Sequence, residues 1–173
     1  MTSTRSLRQD EARRRAGLLD VTSYDVTLDL AHEAEGVWTA VRADAERTMD
    51  YRLAVAWADG IEHVQDDPYR FAPTLGEVDL HLVNEGRHEL LWTVLGSRLH
   101  EYDGPMGPVK GVAFAVWAPR AKAVRVIGDF NDWDGRIHPM RMLGGSGVWE
   151  LFVPDVGVGN IYKYEIRGAD DVV

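Results

Sequence analysis

Residues 111 to 141 read GVAFAVWAPRAKAVRVIGDFNDWDGRIHPMR, and residues 147 to 166 read GVWELFVPDVGVGNIYKYEI. Val112, Phe114 and Val116 recur at every second position before Ala118 and Pro119 turn the chain. Lys122 to Ile127 reads as a second strand, Gly128 to Gly135 as a loop, and Gly144 to Gly147 as a tight turn. Trp149, Leu151 and Val153 repeat the alternation, Asp155 to Asn160 turns again, and Ile161 to Arg167 closes the set. A period of two sends alternate side chains to opposite faces of a sheet. Short strands broken by turns every 8–12 residues or so describe a small β-sandwich. The spacing therefore predicts a mainly β protein with an immunoglobulin-like sandwich over residues 111–170.

Upstream the pattern changes. A Gly/Pro stretch from Asp103 to Gly111 reads as a linker and a domain boundary. Leu75 to Val83 and His88 to Leu95 read as two short helices broken at Asn84 to Gly86, with Gly96 as a C-cap. Pro68 and Pro73 mark extended chain before them. Further forward, Tyr24, Val26, Leu28 and Leu30 alternate with Asp25, Thr27 and Asp29, and Val37 to Val41 forms another strand. Tyr51, Leu53, Val55 and Trp57 alternate again, Asp59 and Gly60 supply a hairpin turn, and Ile61 to Val64 returns. Ser6 and Gln9 have capping-box spacing, with Asp10 and Glu11 in the first turn of a helix that ends near Asp20. The expected plan is a helix over 1–20, a partial β module over 21–66, a helical linker over 67–110 and the sandwich over 111–173.

Composition narrows the partners. The formal net charge of −9 over 173 residues repels phosphate backbones, so nucleic acid is not expected. A neutral polymer carries no such penalty. Cysteine is absent, which removes disulfides and thiolate chemistry and fits a reducing, cytoplasmic setting. No apolar run approaches the roughly 20 residues of a membrane helix, and Met1 to Arg15 has no apolar signal region.

The strand strings carry more than a fold. FAVWAP, GDFNDWDGR, HPMR, GVWELF and YKYEI, in that order, resemble the family-48 carbohydrate-binding module, also called the isoamylase N-terminal domain, of bacterial glycogen-branching enzymes. DPYRFAPTLGEVDLHLVNEGRHELLWTVLG resembles the stretch that joins the two N-terminal sandwiches in the longer branching enzymes. Together these cover about Asp50 to Arg167. EARRRAGLLDVTSYDVTLDL, within about Leu7 to Leu30, resembles instead the opening helix and strand of aminopeptidase N-type zinc peptidases.

The branching-enzyme resemblance implies a 1,4-α-glucan branching function in glycogen biosynthesis, of the α-amylase class of glycosyltransferases. Its two carboxylates, about 5 Å apart, would sit on a βα-barrel that this chain does not contain. No catalytic residue is carried over, and no cofactor is expected. The resemblance further implies α-glucan (glycogen or maltooligosaccharide) and a catalytic barrel domain as partners. By that resemblance Trp133 and Lys163 occupy the positions that bind glucan in such modules, with Asn131 placed to add a hydrogen bond; the alternative for Trp133 is packing on its own sandwich or on the barrel. The aromatic that usually follows the YKY strand is missing from Arg167-Gly168-Ala169-Asp170, which implies affinity near the millimolar range (roughly −4 kcal/mol). A free-standing glucan-binding module is the alternative, as is an inactive fragment joined to a peptidase front.

Other constellations read as structural. Asp129, Asp132 and Asp134 suit turn chemistry better than a cation loop, because Trp133 and Met140 fall where ligands should be. His88-Glu89 begins an HExxH string, but its fifth position is Trp92, and His32, His63, His81, His88, His100 and His138 are scattered. No metal site is expected. Trp117 and Trp149 lie in strand runs and read as packing residues.

Overall fold

The structure is a computed structural model that describes residues 20–23, 26–34, 37–41, 50–56 and 61–168. It divides into two units. One spans Met1–Arg70 with Gly104–Gly107, and the other Phe71–Asp103 with Pro108–Val173.

The first unit contains β1 (Asp20–Ser23), β2 (Val26–Asp29), β3 (Ala31–Ala34), β4 (Val37–Thr39), β5 (Tyr51–Ala56) and β6 (Glu62–Asp66). The run from Tyr24 to Leu30 was expected as one strand. Instead β1 and β2 pair antiparallel, with Ser23 opposite Val26, so only part of that alternation belongs to one strand. The sheet order is β2-β1-β5-β6, and β3 and β4 form a separate hairpin. Ala54, Val55 and Ala56 are buried. Arg70 closes the unit by pairing with both Asp50 and Asp66, and Asp66 also accepts from Arg52 at 3.2 Å. The expected N-terminal helix and the Asp59-Gly60 turn lie outside the described residues.

The second unit is the sandwich. One sheet has the order β10-β11-β8-β7, from β10 (Arg141–Met142), β11 (Val148–Pro154), β8 (Val109–Trp117) and β7 (Gly96–Tyr102). The other pairs β12 (Tyr162–Arg167) with β9 (Ala123–Gly128). Val112, Phe114, Leu151 and Val153 from the first sheet meet Val124 and Val126 from the second in one apolar cluster. The Tyr164 hydroxyl reaches across to donate to the Gly96 and Ala115 carbonyls at 3.1 and 3.3 Å. Burial raises its pKa above the usual phenol value.

β8 and β11 are buried on both faces, which the alternation alone does not predict. The second face is covered by residues 71–95. Leu75 and Val94 pack with Ala115, Leu143 and Val148, while Phe71 packs with Val109, Ala113 and Phe152. The small side chains of Ala113 and Ala115 let this arm approach. At Gly111 a Cβ would lie 2.3 Å from the Val153 carbonyl oxygen, so only glycine fits. Glu150, 1% exposed, fixes the arm by accepting from the Thr74 amide at 2.7 Å and from the Thr74 hydroxyl. Arg98 donates to the same hydroxyl at 2.7 Å.

Two expectations change here. The Gly/Pro stretch expected as a linker over 103–111 is the connection between two paired strands, because Tyr102 of β7 lies opposite Val109 of β8. Linkers and hairpin loops share this punctuation, and only strand pairing separates them. The first expected helix is α1 (Glu77–Asn84). The second reduces to a 3₁₀ turn at Leu91–Thr93, because His88 turns back to bond Asp79 at 3.1 Å and Gly86 sits at φ 67°.

Candidate functional site

The site is built on the β9–β12 ribbon and the loop that leaves β9. Inward positions on β9 are Val124 and Val126, and the outward positions include Arg125 and Ile127. Lys163 lies directly opposite Ile127, and Tyr162 opposite Gly128. Arg125 lies opposite Glu165 and binds it at 2.7 Å. The outward face of the ribbon thus ends, on the Gly128 side, with Lys163.

After Gly128 the chain makes a 3₁₀ turn at Asp129–Asn131, and Asp132 and Trp133 follow at φ 51° and 61°. Asp tolerates the left-handed region, whereas a bulky residue there is an outlier. Such backbone costs about 1–3 kcal/mol per residue and persists where the surroundings over-determine it. The strained step turns the Trp133 indole outward, 43% exposed, and sets the Lys163 ammonium 5.5 Å from the ring centroid. That distance is within cation–π range. The fold therefore brings together two of the three residues expected to handle glucan.

The third has another task. Asn131 is 4% exposed. Its Oδ1 accepts from the Gly128 amide at 2.9 Å, and its Nδ2 donates to the Val126 carbonyl at 3.0 Å and to His138 Nδ1 at 2.9 Å. Its amide is committed inside the protein, so Asn131 offers nothing to a sugar hydroxyl. The expectation of a direct contact is corrected on that ground.

The acidic side chains of the loop serve its shape. Asp129 accepts from Asn160 Nδ2 at 2.9 Å and from the Ile161 amide at 3.1 Å, and these bonds lower its pKa. They tie the loop to the turn that enters β12. Asp134 accepts from the Arg136 amide and guanidinium, which hold its pKa down at about 2. Among the described residues no three His, Asp or Glu side chains gather as a metal-binding group. Asn160 and His138 support the site but were not expected in it, although His138 opens the HPMR string, because both meet the loop through tertiary contacts.

The two strand tryptophans differ. Trp149 is 8% exposed and its indole N–H donates to the Ala118 carbonyl at 3.1 Å, which is a packing role. Trp117, also expected to pack, is 56% exposed and lines an open groove of about 700 Å³ with Pro119, Arg120, Ile166 and Gly168. It occupies the last position of β8, where the arm no longer covers the sheet.

Residues 95–173 match carbohydrate-binding module 48, the isoamylase N-terminal domain. The match begins at Leu95, ahead of β7 and not after the Gly/Pro stretch, in agreement with the strand pairing. Most of the chain is similar to the N-terminal region of bacterial 1,4-alpha-glucan branching enzymes. It is 50% identical to the 1,4-alpha-glucan branching enzyme GlgB of Rhodococcus jostii over 161 residues, which is 93% of this chain and 22% of the relative. The enzymes of the same name from Leifsonia xyli subsp. xyli and Frankia casuarinae are 56% and 59% identical over 80% and 71% of this chain, and 18% and 15% of their own. The chain spans about a fifth of the length of these relatives. The Rhodococcus alignment leaves only 12 of the 173 residues outside, so it runs through residues 13–30, part of the stretch that resembles peptidases. No helix among the described residues is long and apolar enough to cross a membrane.

Proposed function

We propose that this chain acts as the glucan-binding front part of a 1,4-α-glucan branching enzyme, with Trp133 as the stacking platform and Lys163 as its hydrogen-bonding flank. The observation that carries the reading is the pairing of a half-exposed indole with an ammonium 5.5 Å from its ring, on a loop of a carbohydrate-binding module. A glucose ring has an apolar C–H face that stacks on indole, and the Lys163 ammonium beside it donates to hydroxyls. Neither contact needs a charged ligand, which suits a chain of net charge −9 and a neutral polymer such as glycogen or a maltooligosaccharide. The catalytic carboxylates belong to a barrel domain of the full-length family, and the module holds the polymer near it. The cytoplasm is the proposed setting, in keeping with a cysteine-free sequence.

Affinity electrophoresis in gels cast with glycogen tests this. The wild-type chain should be retarded, and Trp133→Ala should lose most of the retardation with its melt unchanged. The expected loss is about tenfold or more in affinity, the scale of one aromatic anchor. Equal mobility of the wild-type chain with and without glycogen would overturn the reading.

A further inference from the structure

We infer that Asn131 and His138 are positioning residues for the Trp133 platform: a buried side-chain latch that straps the loop to β9 and so fixes the indole against Lys163. The inference rests on the glucan-binding reading of Trp133. It begins from a conflict in the loop. Asp132 and Trp133 both hold left-handed backbone, which Asp tolerates but a bulky Trp does not adopt without support. Something must hold that turn closed while leaving the indole outside.

The hydrogen bonds identify what does so. Gly128 is the hub: its carbonyl accepts from the Trp133 amide at 2.9 Å, and its amide donates to Asn131 Oδ1 at 2.9 Å. Asn131 then spends both Nδ2 protons inward, on the Val126 carbonyl and on His138 Nδ1. Its main-chain carbonyl accepts from the Asp134 amide at 2.9 Å, which binds the far side of the turn. Trp133 is enclosed between these points.

His138 makes the strap rigid because its own backbone is laced to β9. The Val126 amide donates to the His138 carbonyl at 3.1 Å, and the Met140 amide to the Val124 carbonyl at 2.8 Å. Pro139 forms a bridge pair with Arg125. The ring is 8% exposed and lies 5.8 Å from Phe130. With Nδ1 accepting from Asn131, the neutral ring carries its proton on Nε2. The hydrogen bonds therefore run from His138 through Asn131 and Gly128 to the Trp133 amide. Lys163 is set by the same hub, since its neighbour Tyr162 lies opposite Gly128. Loosening the strap should let the indole and the ammonium lose register while the sandwich core stays intact.

The test measures maltoheptaose binding by titration calorimetry on the full chain, with thermal melts alongside. His138→Leu keeps bulk but removes the acceptor. It should retain a cooperative melt and bind about tenfold more weakly, the effect of one lost buried hydrogen bond passed to the ligand. His138→Asn, whose side-chain carbonyl reaches the Nδ1 position, should restore most of the affinity. A loss merely due to weaker folding would follow melting temperature across the variants instead of the acceptor. Should His138→Leu not fold, Asn131→Asp decides. It keeps an acceptor for Gly128 but loses both inward donations, and the same loss of affinity is expected. If Trp133→Ala binds maltoheptaose as well as the wild type, the glucan-binding reading itself fails. If Trp133→Ala loses binding while a folded His138→Leu or Asn131→Asp binds as the wild type does, the platform stands and the latch is wrong.

Discussion

At His138 a ring that would titrate near 6.5 in water is held inside the sandwich unit, and burial pushes its pKa down. The direction has a consequence for stability. A base whose folded pKa is depressed binds fewer protons folded than unfolded, so stability rises with pH. The folded state is at full advantage above about 6.5, where both states are neutral, and loses ground as pH falls below that value. The melting temperature should therefore drop between pH 7 and pH 5, and the drop should be shallower in His138→Asn. Parallel curves for the two proteins would remove His138 from the acid response. Trp133 is a different case. Its place after GDFN was legible in the string, but its left-handed backbone was not, because no one-letter pattern reports φ for a tryptophan. Asn131 was misread for a related reason. An Asn in a loop looks solvated until its neighbours in space are known.

The arm over residues 71–95 is the element whose role changes most. Read along the chain it was a helical linker. In the fold it is a cover for the outer face of the β10-β11-β8-β7 sheet. This explains the composition of β11, VWELFVP, which is buried almost throughout. A strand with two dry faces does not show a clean alternation. It also explains why an acidic residue sits in the middle of that strand. Glu150 is the polar anchor of the arm, and its partner Thr74 uses both its amide and its hydroxyl. Glu150→Ala would take the shared acceptor from both donors of the half-buried Thr74. Urea denaturation should show a loss of about 2–4 kcal/mol, with Glu150→Gln losing less because it keeps an acceptor. A loss below about 0.5 kcal/mol would mean that the arm is held by its apolar contacts alone.

For the molecule as a whole, the sandwich cannot be taken as residues 111–173. Its edge strand β7 and the cover of its second face both precede the Gly/Pro stretch. A fragment starting at residue 71 should therefore give a cooperative melt and a monodisperse solution. One starting at residue 108 should aggregate, because Val109, Ala113 and Phe152 would face water as one patch. A soluble, cooperatively melting 108–173 fragment would show that the arm is dispensable.

Strands β8, β9, β11 and β12, the turns among them and the place of Trp133 in a loop were legible in the chain, because these depend on neighbours two positions apart and on residues that bend the backbone. The sequence also carried the ordered strings by which the branching-enzyme likeness is read. Tertiary structure alone decided that a Gly/Pro stretch joins two paired strands, that 71–95 covers a sheet, that Asn131 faces inward to His138 and that Trp117 faces out. Each of these depends on contacts between residues far apart in the chain, and the periodicity of one strand carries no information about what lies against its other face.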